Sequence, residues 1–87
     1  MIDIIRTTLR VSTDAFDAEI QMLIDAAKGD LIAHGVNADS DGALVKVAIA
    51  TYVRANFGNP PDADRLMESY RMQRLELSNM PAFMKEA

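Results

Sequence analysis

Apolar residues recur at helical spacing along most of this chain, and one stretch departs from that rule by being apolar almost all round. Residues 43–57 read ALVKVAIATYVRANF, interrupted only by Lys46, Thr51, Arg54 and Asn56. A helix of this kind must be covered on nearly every side, which predicts a central helix. Burial of Leu44, Val47, Ile49 and Val53 would stabilise by roughly 1.5–3 kcal/mol each. Asp39, Ser40 and Asp41 offer capping oxygens before it. Gly58 can take the left-handed conformation that closes it, and Pro60 and Pro61 cannot continue it.

The flanking stretches carry one-sided patterns. Ile2, Ile5 and Leu9 form a single stripe, which predicts a short helix over 1–9. Residues 9–11 should then be extended, with Asp14 as the N-cap of a second helix over 15–34. In that helix Phe16, Ile20, Leu23, Ile24, Ala27 and Leu31 make a broad apolar face. Asp17 and Glu19 suit its positive N-terminal end, and Gly35 stops it. Gly29 inside it costs about 1 kcal/mol relative to Ala; it is either an exposed, tolerated residue or a point of close approach to another helix. After the prolines, a last helix starts at Asp62. It faces Ala63, Leu66, Met67, Tyr70 and Leu77 inward and Arg65, Glu68, Arg71 and Glu76 outward, and frays near Leu77.

Beyond Leu77 lies an apolar tail with Met80, Phe83 and Met84 around Pro81. Proline prevents it from being helical throughout. The tail either folds back over its own core or docks on a partner, for which flexible methionines are well suited. The expected fold class is therefore all-α: one domain over 1–87, with a helical body of three main helices and a short N-terminal one over 1–77, and a tail over 78–87.

Composition narrows the function. Eighty-seven residues support one modest core, yet 49% are hydrophobic and six are methionine. Such a surplus points to apolar surface covered by a partner. Without cysteine there is neither disulfide nor thiolate chemistry, which suits an intracellular protein. No apolar run reaches the roughly 20 residues that span a bilayer, and the N-terminus lacks the pattern of a secretion signal. The net charge of −4 disfavours nucleic acid as a primary partner, and the one basic cluster, Arg65, Arg71 and Arg74, is interleaved with Asp62, Asp64, Glu68 and Glu76.

Candidate chemistry is sparse. The lone His34, four residues after Asp30, lacks further metal ligands and reads as a helix C-terminal residue favoured by the dipole. Asn37, Asp39, Asp41 and Gly42 copy the start of a calcium loop, but the twelfth position, which should be a bidentate Glu, is Ala48. There is no glycine-rich phosphate loop and no nucleophile–base set. No enzyme activity, cofactor or metal is expected. Lys46 and Arg54 lie eight residues apart on one face of the central helix, with Ala50 between them. They form either its solvated stripe or a contact with acidic groups of a neighbouring subunit.

Three features carry a family resemblance: LRVSTDAFDAEIQMLIDAAKGDL near the start, ALVKVAIATYVRANFGNPPDADRLMESY in the middle, and their placement in so short a chain. Over residues 9–70 the sequence resembles the head–tail connector (adaptor, DNA-packaging) proteins of tailed bacteriophages. The resemblance implies a structural virion protein at the head–tail interface, assembled in the host cytoplasm. It would form a homo-oligomeric ring under the portal protein, continue the DNA channel and receive a downstream tail-joining protein. DNA would be only non-specific cargo, and an acidic lining would help it slide. Met80, Phe83 and Met84 are the candidate contacts toward the portal, and Lys46 and Arg54 those between subunits. The rival readings are a small helical DNA-binding regulator using Arg65, Arg71 and Arg74, and a generic helical dimerisation or scaffolding protein.

Overall fold

The computed structural model describes residues 1–39 and 42–83. Its elements are α1 (Ile2–Leu9), α2 (Asp17–Ala33), α3 (Ala43–Asn56), α4 (Ala63–Ser78) and a short 3₁₀ turn, Pro81–Phe83. The fold is a small all-α bundle in which α3 packs against each of the other three helices. α3 and α4 run antiparallel: Tyr52 is edge-on to Tyr70 at 5.1 Å and, one turn on, Asn56 Nδ2 lies 3.6 Å from Met67 Sδ.

The core is assembled from the predicted stripes. Ile5 enters from α1, Ile20, Ile24, Ala27 and Leu31 from α2, and Tyr70 and Leu77 from α4. Val45, Ala48, Ile49 and Val53 of α3 meet them, and Val36 and Ala38 close the end of the bundle from the loop. The central helix is covered less completely than its composition predicts. Ile49 and Val53 are buried, whereas Leu44 and Val47 are 50% and 49% exposed. With only three partner helices, one face of α3 is left without a layer over it.

Helix ends follow backbone geometry more than side-chain caps. Asp14 is not the cap of α2: its carbonyl accepts the Asp17 N–H at 3.1 Å in a tight turn, and Phe16 holds the cap position. Thr13 Oγ1 serves that turn by accepting the Ala15 N–H at 3.2 Å. Asp17 is thereby free to face Arg6, 3.1 Å away, tying α1 to α2. Residues 9–11 are not extended. Arg10 adopts φ 59°, and the Val11 N–H donates to the Arg6 carbonyl at 2.9 Å, a left-handed closure of α1. Gly35 at φ 81° closes α2 the same way, with the Val36 N–H donating to Leu31. Gly42 occupies the N-cap position of α3; the capping expected of Ser40 and Asp41 lies outside the described residues. Gly58 (φ 70°) and Asn59 (φ 53°) turn the chain back after α3. α4 runs one residue past Leu77 before the chain turns.

Candidate functional site

The tail folds over its own core as far as it is described. Met80 and Phe83 are partly buried against the core cluster, and the Phe83 carbonyl accepts the Asn37 N–H at 2.7 Å. Proline at 81 suits the single 3₁₀ turn that brings Phe83 to the α2–α3 loop. Met84 lies outside the described residues. The two described tail residues are thus half-covered, presenting only part of their surface.

The α3 stripe is different in kind. Arg54 is exposed, Lys46 is half-buried, and among the described residues neither has an acidic partner. Between and beside them stand exposed Val47 and Leu44 and half-buried Ala50. Lys46 also lines a cleft with Lys28, Asp39 and Ile4, where α1, α2 and α3 meet. The helix contains no carboxylate at all, so the face it presents is apolar and basic, with Asp39 of the preceding loop in the cleft beside Lys46.

The arginines of α4 are each engaged by an acid. Arg65 meets Asp62 at 2.9 Å, Arg71 meets Glu68 at 3.5 Å, and Arg74 meets Asp30 at 2.9 Å. A phosphate backbone would have to displace these carboxylates; the interleaving seen in the sequence accounts for Arg65 and Arg71, and Asp30 of α2 for Arg74.

Asp30, Tyr70 and Arg74 form a polar cluster that the sequence did not reveal. The Tyr70 hydroxyl donates to Asp30 Oδ2 at 2.6 Å, and Arg74 Nη1 donates to the same oxygen at 2.9 Å. Arg74 also lies over the Tyr70 ring at 5.7 Å. Partial burial works to raise the Asp30 pKa. The hydrogen bonds from Tyr70 and Arg74, with the Arg74 and His34 charges, outweigh it and hold the carboxyl below its usual range. Burial pushes the Tyr70 hydroxyl up, and the Asp30 hydrogen bond and charge push it further. The cluster is a latch between α2 and α4, and an open cleft of about 310 Å³ lined by His34, Arg71, Arg74 and Ser78 runs beside it. Its members are 40 and 44 residues apart, and no local pattern pairs positions at that distance.

The remaining motifs resolve structurally. His34 caps α2, with Nδ1 donating to the Asp30 carbonyl at 2.7 Å. In the calcium-like loop, Asn37 Oδ1 accepts the Asp39 N–H at 3.2 Å, and Ala38 between them is buried. Asp41 lies outside the described residues. Among the described residues no three acidic or histidine side chains converge as a metal site, and no helix is long and apolar enough to cross a membrane.

The surplus of apolar residues is visible at the surface. Met22 is 68% exposed, and Ile4, Phe16, Met72 and Leu75 are also open to solvent. Phe16, expected on the core face of α2, stands instead at its rim, edge-on to Phe57 at 5.7 Å. Gly29 is exposed, and a Cβ built there would meet nothing within 4 Å; no other helix of this chain approaches it.

Against known proteins, residues 1–81 match the model of a family described as phage connector protein. No curated protein and no solved structure matches the chain significantly.

Proposed function

Because the chain belongs to the phage connector protein family, we propose that it is a structural, non-catalytic subunit of a tailed phage's head–tail connector. In this reading, copies assemble as a ring below the portal, continue the DNA channel and present a platform to the next tail-joining protein. The match over residues 1–81 carries the proposal. The exposed apolar side chains on several helices support it, because assembly would cover surface that a monomer leaves in water. In this reading Met80, Phe83 and Met84 make the portal contact, and Lys46 and Arg54 the contact between subunits. DNA passes as cargo, and the negative chain gives it little to adhere to.

The test is particle production without this chain. Packaged heads that lack tails and lose their genomes are expected, with tail joining restored when the purified protein is added. Tailed, infectious particles formed in its absence would overturn the reading. Light scattering and negative-stain imaging, alone and with the portal ring, would show whether a closed ring with a central hole forms.

A further inference from the structure

Among the helix faces that the described residues leave uncovered, one on α2 and one on α3 are alike in shape but opposite in charge. On α2, Glu19, Met22, Ala26 and Gly29 recur at gaps of three, four and three, with Asp25 and Ile32 alongside, and all six are exposed. Met22, 68% exposed, projects between Ala18 and Ala26, and two turns further on Gly29 leaves open space where a Cβ would stand. The charges on this face, Glu19 and Asp25, have no cationic partner among the described residues; Asp25 accepts only the Gln21 amide, at 3.0 Å. Lys28, the nearest cation on the helix, lines the cleft toward α1 and α3.

The face on α3 is its counterpart. Ala43, Val47, Ala50 and Arg54 recur at gaps of four, three and four, with Leu44 and Lys46 beside them. Val47 projects between two alanines, and the charges are exposed Arg54 and half-buried Lys46, which stands at the edge of this face where the cleft shared with Lys28 begins, with no acid on the helix. Along the axis, Glu19 and Asp25 are separated by about 9 Å and Lys46 and Arg54 by about 12 Å at the helical rise. The long basic side chains can span that difference.

From this pairing we propose that the α3 face of one copy of this chain docks on the α2 face of the next. The choice of a second copy as occupant rests on the connector reading; the choice of faces rests on their complementarity. Like faces cannot pair with each other, since α3 on α3 opposes cations and α2 on α2 opposes carboxylates. The contact is therefore heterologous and head-to-tail, the kind that closes into a ring when the rotation between copies allows. The outer face of α4 is a poorer partner for α3, because Arg65 and Arg71 already pair with Asp62 and Glu68 there, and its remaining acids, Asp64 and Glu76, stand about 18 Å apart along the axis, further than Lys46 and Arg54. Small residues at both faces let the helix backbones come close, and Met22 and Val47 supply projections for the opposing gaps.

The absence of cysteine makes the test clean. A Met22→Cys/Val47→Cys chain, oxidised mildly at high concentration, should give a ladder of disulfide-linked species beyond the dimer. Each single-cysteine variant stops at the dimer. A Met22→Cys/Met72→Cys chain serves as the control pair, and a ladder no stronger than its own would overturn the proposal.

Charge reversal supplies the second measurement, on variants checked for native helicity. Lys46→Glu/Arg54→Glu and Glu19→Lys/Asp25→Lys should each lower ladder yield at least about tenfold in the double-cysteine background. An equimolar mixture of the two should recover it, because each then offers the other a complementary face. A mixture no better than its components would overturn the assignment. Closed rings without Met22–Val47 cross-links would remove this interface and leave the connector function standing. Strong ladders from a protein absent from virions would do the reverse.

Discussion

Replacing Tyr70 by Phe tests the latch between α2 and α4 with the smallest change. The ring stays in the core and keeps its edge-on contact with Tyr52; only the hydroxyl is removed. That hydroxyl donates to a carboxylate at 2.6 Å, and hydrogen bonds to charged groups contribute about 1.5–3 kcal/mol net. Asp30 retains Arg74 at 2.9 Å, and its side chain is 31% exposed, so water can take the vacated position. The expected loss lies at the low end, about 1.5 kcal/mol. For a chain of this size it corresponds to a fall in Tm of roughly 6–12 °C. Urea unfolding followed by circular dichroism should show a lower midpoint with an unchanged slope.

The effect carries a pH signature. Because Asp30 is held below its usual range when folded, its contribution is present above the unfolded carboxyl value of about 3.9. It disappears as pH falls through the lower folded value. The gap between wild type and Tyr70→Phe should therefore be full at pH 6 and shrink at strongly acid pH. A variant within roughly 0.5 kcal/mol of wild type at pH 6, or an equal loss in an Asp30→Ala background, would refute the coupling.

Other expectations concern the core, the helix ends and the surface. Leu31→Ala, at a fully buried position, should cost about 2–5 kcal/mol in the same unfolding assay. Gly29→Ala should stabilise the monomer by up to about 1 kcal/mol, since the added methyl meets nothing. Gly58→Ala should instead destabilise by about 1–2 kcal/mol, because φ is +70° there; equal effects at the two glycines would contradict this account. Arg65→Ala and Arg71→Ala remove exposed i,i+3 pairs and should each change stability by less than about 1 kcal/mol, measured in parallel.

The points where expectation and structure part have physical causes. Asp14 looked like a cap because its side chain is of the capping type, but a turn at residues 14–17 uses its carbonyl instead and moves the helix start to Asp17. Arg10 takes a left-handed conformation that residue type disfavours, because closing α1 satisfies two backbone donors. Leu44 and Val47 were expected inside on composition alone. A rule about total apolarity cannot say which face is uncovered when there are too few helices to surround α3.

Periodicity by itself determined the four helices, their order and most of the core, because each amphipathic helix must bury its one apolar face. It also located Lys46 and Arg54 on one side of α3, since the helical repeat fixes which residues are neighbours. Tertiary structure decided which apolar positions stay in water and which charges find partners. Asp30 meets Tyr70 and Arg74 only because α2 and α4 are brought together across α3, and Lys46 and Arg54 are left without acids for the same reason. Those are matters of how helices stack, and a pattern written along one helix holds no information about the surface that another will cover.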